Sequence, residues 1–140
     1  LNIGGGASWN NLKLAEDVIS GGVNINPKGN RPGQSPAFTA NAFADYSMTL
    51  NDALDAKFAV SASYQSRVQA TTQTDGLQYS SRPFSLRASA EISSKDGWTL
   101  RLFGENLTNW HGSSSVVYLA NPSFSRPRPR TIGLAFEYHI

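Results

Sequence analysis

The chain of 140 residues is 39% hydrophobic and 16% charged, and its formal net charge at pH 7 is +2. That length suits one domain, and so small a charge gives no reason to expect a nucleic-acid partner. The absence of cysteine excludes disulfides and cysteine-based metal sites. No run of about 18 apolar residues occurs, so the sequence predicts no transmembrane helix.

Six segments of the chain alternate between apolar and polar residues, which is the period of a β-strand with one apolar side. The first segment, residues 1–14, is weakened by three consecutive glycines. The other predicted strands are residues 38–50, 54–65, 84–92, 98–105 and 130–140. Phe43 and Phe103 interrupt the otherwise polar side. Long helical stretches are missing, so we predict an all-β fold, an antiparallel up-and-down meander of about six strands.

Long and short connections alternate along the chain. Residues 15–35, 67–81 and 109–129 are predicted to be polar loops, whereas only positions 51–53 and 95–97 separate the strands at the other two connections. In an up-and-down meander, all the long loops then lie at one end of the strands and both short turns lie at the other. This sorting, with strands of about 9–11 residues, is typical of outer-membrane barrels. A soluble sandwich or lipocalin-like barrel has no need of it.

The turn at Lys95, Asp96 and Gly97 sets the register of its two strands. A three-residue loop with Gly97 in the left-handed conformation pairs Ser94 with Trp98 and keeps the apolar side continuous, which a two-residue loop would not do. The same register places Glu91 opposite Arg101 and Arg87 opposite Glu105. We predict two cross-strand ion pairs on a water-lined wall, each contributing roughly 0.2–1 kcal/mol. Their expected role is structural.

Aromatic residues on the apolar side fall into two groups by height. Trp98, Tyr46 and Tyr138 are predicted to lie toward the short-turn end. Phe38, Tyr64 and Phe84 are predicted to lie toward the loop end, with smaller residues between the groups. Two such bands resemble the aromatic girdles of membrane barrels, although core aromatics of a soluble protein are the alternative.

A cluster of three arginines, Arg126, Arg128 and Arg130, alternates with two prolines just before the last strand. In extended conformation the three guanidinium groups share the lipid-side parity of Ile132. They are candidates for contact with lipopolysaccharide phosphates, or with an anionic ligand, because arginine presents a forked and permanently charged donor set. A solvated loop stiffened by proline is the plainer interpretation.

The end of the chain resembles a known family. Residues 96–109 and 128–140, with Asn106-Leu107-Thr108 closing one strand and the segment Arg-Pro-Arg-Thr-Ile-Gly-Leu opening the last, resemble the C-terminal end of TonB-dependent outer-membrane receptors. The likeness covers most of the chain from about residue 30 onward, and the first segment fits as one more strand. In that family the alternating last strand is read by the barrel-assembly machinery, which here assigns the signal to Ile132, Leu134, Phe136, Tyr138 and Ile140.

The resemblance implies an active transporter in the bacterial outer membrane for a scarce nutrient, such as a ferric siderophore, energised through TonB. Such transporters have about 22 strands around a plug. Residues 1–140 would then be the C-terminal part of the barrel, an open and curved segment of the wall with two free edges. The plug domain, the segment that contacts TonB and the remaining strands would belong to an absent N-terminal part. Outer-membrane lipid and lipopolysaccharide would surround the wall.

Two other classes stay open at this point. One is a small self-contained β-barrel, in the outer membrane or lipocalin-like, that binds an apolar ligand inside and joins its first and last strands. The other is a structural or adhesive β-sheet domain built from two packed sheets. We do not expect an enzyme, a metal site or a cofactor, because His111 and His139 are the only histidines and lie on different segments without ligand-spaced partners.

Overall fold

The computed structural model describes residues 1–69, 79–117 and 123–139, and these ranges form ten β-strands and no helix. No helix there is long and apolar enough to cross a membrane. In chain order the strands are β1 (Asn2–Trp9), β2 (Val18–Ser20), β3 (Val23–Asn26), β4 (Phe38–Asn51), β5 (Leu54–Gln65), β6 (Phe84–Ser94), β7 (Trp98–Glu105), β8 (Ser115–Val117), β9 (Ser123–Ser125) and β10 (Thr131–Tyr138).

Six of the strands form one sheet in the order β1-β4-β5-β6-β7-β10, and every neighbouring pair is antiparallel. The predicted all-β meander of six strands is therefore confirmed. The strands β2 and β3 form one short pair within the first long connection, and β8 and β9 form another within the last. Both connections were predicted to be loops without strands.

The sheet is open, because β1 and β10 are edge strands and do not pair with each other. A self-contained barrel requires those two strands to be joined. A sandwich requires a second large sheet packed over the first. The described residues form neither a closed barrel nor two large packed sheets, so the architecture of each alternative is not observed.

Successive residues of a strand point to opposite sides, and the observed register keeps the two sides apart across the whole sheet. The register pairs Ile3 with Ala44, Ala44 with Val60, Val60 with Ala88 and Ala88 with Gly104. We call the side that carries these residues the apolar face. It consists of the odd-numbered residues of β1 and the even-numbered residues of the other five strands. The opposite side is the polar face.

Charge within the six strands is confined to the polar face. No charged strand residue lies on the apolar face. The polar face carries Asp45, Asp55, Lys57, Arg87, Glu91, Arg101, Glu105 and Glu137. Because side chains alternate with a period of two, a slip of one residue in a charged strand would turn its charges onto the apolar face.

The apolar face does not cover a sealed core. Leu134 is 67% exposed, Phe58 is 48% exposed and Leu100 is 36% exposed, although each faces the same side as its apolar neighbours. Among the described residues, the buried hydrophobic ones are only Ala56 and Val68. A soluble sheet of this size would bury most of such a face, so these side chains lack the cover that their composition requires.

The two ends of the sheet differ as predicted. Short turns connect β4 to β5 and β6 to β7 at one end, which we call the turn end, and the long connections lie at the other, the loop end. Gly97 has a φ of 89°, and the ladder beyond it pairs Thr99 with Ser93 and Arg101 with Glu91. The three-residue loop and its register are therefore confirmed.

The two phenylalanines on the polar face each cover a glycine of an edge strand. Phe43 lies opposite Gly4 of β1, and Phe103 lies opposite Gly133 of β10. A Cβ atom at Gly4 would lie 2.5 Å from Cζ of Phe43, and one at Gly133 would clash with the Phe103 ring. An aromatic ring laid over a glycine replaces the missing side-chain packing and helps to fix strand register. This packing explains why two apolar residues interrupt the polar face.

We expect Gly4→Ala to lower the free energy of unfolding by about 0.5–1.5 kcal/mol, because the new methyl group forces the Phe43 ring away from its present rotamer. Gly6→Ala is the matched control on the same strand and face. Its Cβ atom would approach only Asn41 Oδ1, at 3.4 Å. Denaturant titration measures the loss of unfolding free energy caused by Gly4→Ala, once in the unmodified chain and once in the Phe43→Ala variant. An equal loss in both backgrounds would contradict the contact between Gly4 and the Phe43 ring.

Candidate functional site

A row of charged side chains crosses the middle strands on the polar face. Lys57 of β5 lies opposite Glu91 of β6, which lies opposite Arg101 of β7. The Nε and Nη2 atoms of Arg101 each lie 2.6 Å from Oε2 of Glu91. The structure thus brings together Glu91 and Arg101, the first of the two predicted pairs. Lys57 was not foreseen as a neighbour of this pair, because the long loop between β5 and β6 hides their register in the sequence.

The second predicted pair does not form. No ion pair within 4.0 Å joins Arg87 to Glu105 in the part of the chain that the structure describes. The ladder between β6 and β7 ends at Ala88 and Gly104, one pair before Arg87 and Glu105. The reason is a change of backbone direction directly after β7, where Asn106 adopts a φ of 48°.

Asn106 holds the start of the last long connection in place. It is 7% exposed, and its Nδ2 atom donates hydrogen bonds to the carbonyl oxygens of Trp110 and Arg128, both at 3.0 Å. Its Oδ1 atom accepts one from the backbone N–H of Trp110 at 2.9 Å. A single amide side chain therefore ties the end of β7 to the beginning and the end of the connection. The motif Asn106-Leu107-Thr108 was noted from the sequence, but this role was not.

The long connections are tied to one another at the loop end. Ser66 Oγ accepts hydrogen bonds from the backbone N–H groups of Ala37 and Phe38, at 2.9 and 3.0 Å. The backbone N–H of Ser81 donates to the carbonyl of Ser113 at 3.0 Å. Most buried polar side chains of the described ranges lie in this region. Hydrogen bonds therefore join the described parts of the three long connections at this edge of the sheet.

Several depressions on the polar face could receive a solute. One has a volume of about 620 Å³ and lies over the middle of the sheet, between the Phe43 and Phe103 rings and the charged row. A smaller one has a volume of about 370 Å³ and lies at the loop end, and Arg87 and Glu105 line both. The side chains that line the smaller one include Ser85, Arg87 and Glu105 of the sheet and Arg128 of the arginine cluster.

The arginine cluster is exposed throughout. Arg128 lines the smaller depression together with residues of the polar face. The shared lipid-side position of the three arginines, and their contact with lipopolysaccharide phosphates, stay predictions. Arg126 and Arg130 do not line that depression.

The predicted assembly signal lies on the apolar face of an edge strand. Ile132, Leu134, Phe136 and Tyr138 of β10 are between 60% and 68% exposed. Ile140 lies outside the described residues. The backbone N–H of His139 donates to the carbonyl of Gly97 at 2.8 Å, which extends the contact of β10 with the short turn. The role of these residues in barrel assembly stays a prediction.

The aromatic residues of the apolar face lie in two groups separated by small side chains. At the loop end, the rings of Trp9 and Phe38 are 6.4 Å apart, and those of Phe38 and Tyr64 are 6.1 Å apart. At the turn end, Tyr46 lies opposite Phe58 and Tyr138 lies opposite Trp98. The middle of the face holds residues such as Ala42, Ala62, Val60 and Ala88.

No protein-family model, curated protein or solved structure matches the chain. Within the described ranges, no three acidic or histidine side chains gather into a group that could hold a metal ion. The functional inference therefore rests on the two faces of the sheet and on the residues at the loop end.

We expect Asn106→Ala to lower the free energy of unfolding by about 2–4 kcal/mol. The substitution removes three hydrogen bonds, each contributing roughly 0.5–1.5 kcal/mol, and leaves a backbone of positive φ without the residue type that tolerates it. Asn109→Ala is the control, because Asn109 has a φ of 54° and its side chain makes no hydrogen bond to a described residue. Equal losses for the two variants in thermal or denaturant unfolding would show that the side chain of Asn106 ties nothing together.

Proposed function

We propose that the chain forms part of the wall of a larger β-barrel in the bacterial outer membrane. We further propose that the barrel imports a scarce nutrient, such as a ferric siderophore, with energy delivered through TonB. The observation that supports the wall most strongly is the division of the sheet into an uncharged, exposed apolar face and a face that carries every charged strand residue. The nutrient and the energy source follow from the resemblance of residues 96–109 and 128–140 to TonB-dependent receptors.

The exposed apolar face requires an apolar environment to cover it. Removing a large aliphatic or aromatic side chain from water contributes about 1.5–3 kcal/mol. Ile132, Leu134, Phe136 and Tyr138 alone leave more than half of their surfaces uncovered. Their combined burial would rival the net stability of a whole domain, which is about 5–15 kcal/mol. Hydrocarbon supplies that cover without any specific binding partner, because it requires only that the face carry no charge.

The spacing of the aromatic groups fits the thickness of a membrane. Along β6, Phe84 lies in the group at the loop end, and Ser94 directly precedes the turn that leads to Trp98. The strand rises about 3.4 Å per residue, so these ends lie about 34 Å apart along it. With a tilt of about 40–45°, the distance along the membrane normal is about 25 Å, the height of the apolar band in membrane barrels.

The free edges support a wall that continues on both sides. Within the described residues, β1 and β10 each leave one row of backbone N–H and C=O groups without a strand partner. In hydrocarbon such groups must be paired, because no water is present to receive them. We propose that further strands of the same barrel cover both edges, that a plug domain fills the interior, and that the barrel-assembly machinery reads β10. The polar face would then line the interior.

A pair of neighbouring substitutions on β5 tests which face meets the membrane. We expect Val60→Lys to lower the free energy of unfolding from lipid vesicles by about 2–4 kcal/mol, because it places a charge near the middle of the lipid-facing side. Ala59→Lys is the matched control on the polar face, where its ammonium group lies opposite Asp45. We expect this variant to change stability by less than about 1 kcal/mol. Equal effects of the two substitutions, or a chain that stays monomeric and folded without lipid or detergent, would contradict the proposal.

A further inference from the structure

Two arginines at the loop end have no partner within the chain as described. Neither Arg87 nor Arg128 has a hydrogen bond or an ion pair from its guanidinium group in the described ranges. Arg101, on the same face, differs because its guanidinium group is engaged by Glu91. Arg87 and Arg128 line the same cleft, of about 370 Å³, so two unpaired arginines border one space.

The backbone around the cleft is held in place. Arg87 and Ser85 belong to β6, an inner strand paired on both sides. The backbone of Arg128 is fixed by the hydrogen bond that its carbonyl accepts from Asn106 Nδ2, and the flanking Pro127 and Pro129 restrict the backbone further. Ligand binding then costs the conformational freedom of the side chains and little of the backbone.

We propose that this cleft binds an anionic oxygen group, a phosphate or a carboxylate. Two guanidinium groups offer forked, charged donors of the kind that such groups accept, and the Ser85 hydroxyl offers one neutral donor. Glu105 also lines the cleft, and its carboxylate opposes the anion. Binding is therefore weaker than two free arginines alone would give, and removal of the Glu105 charge strengthens it.

The position of the cleft distinguishes a solute from a lipid headgroup. Ser85, Arg87 and Glu105 lie on the polar face, away from the side that carries Leu86 and Gly104. An anion therefore reaches the cleft from water. The assignment to a solute rests on the proposed function, in which the polar face lines the barrel interior. The anionic group then belongs to a solute that passes through the barrel.

The test is a titration of the full 140-residue chain, folded in zwitterionic detergent micelles, with inorganic phosphate at constant ionic strength. We expect Arg87→Gln and Arg128→Gln each to weaken phosphate binding about tenfold, since each removes a charge-assisted contact. Arg126→Gln and Arg130→Gln remove the same charge from neighbouring positions outside the cleft. We expect these two to change the affinity by less than about twofold, and Glu105→Gln to increase it.

Equal weakening by all four arginine variants would overturn the proposed cleft and indicate a diffuse positive field. Absence of phosphate binding by the unmodified chain would also overturn the cleft. A second titration uses vesicles that contain lipopolysaccharide. Headgroup binding that depends on Arg128 and Arg87 more than on Arg126 and Arg130 would overturn the assignment to a solute. Phosphate binding in micelles does not require membrane insertion. A negative result for the cleft can therefore be distinguished from a negative result for the proposed membrane wall.

Discussion

The register between neighbouring strands is the constraint on which the rest of the structure depends. Side chains alternate with a period of two, so a slip of one residue would exchange the faces of a whole strand. Three features fix the register: the left-handed Gly97, the ion pair between Glu91 and Arg101, and the phenylalanine rings over the glycines of both edge strands. Because the register holds across the sheet, charge never reaches the apolar face.

Much of the sheet could be predicted from alternation alone, because a period of two is visible in the residue types. The short turn at Gly97 added the pairing of Glu91 with Arg101. The sequence did not reveal that Arg87 and Glu105 form no ion pair, because the ladder ends one pair before them, next to the positive φ of Asn106. The packing of the Phe103 ring on Gly133 was also not predicted, because the two residues lie far apart in the sequence.

The charged side chains of the polar face differ in whether they have a partner. Near the middle of the face, Arg101 is engaged by Glu91. At the loop end, Asn106 anchors a connection whose Arg128 lines the same cleft as Arg87, and neither guanidinium group has a partner in the described ranges. Paired groups stabilise a wall, whereas unpaired donors are suited to binding an anion. The polar face thus combines a paired charge with arginines that are open to a solute.

The most direct measurement of the central claim is a spin-label scan along β5 in lipid vesicles. Labels are placed one at a time at positions 57–62, and their collisions with dissolved oxygen and with a water-soluble nickel complex are recorded. We predict a period of two, with high oxygen collision at Phe58, Val60 and Ala62 and high nickel collision at Lys57, Ala59 and Ser61. Labels at the even positions that are shielded from both reagents, as in a sealed protein core, or that are reached by nickel, would contradict a lipid-facing wall.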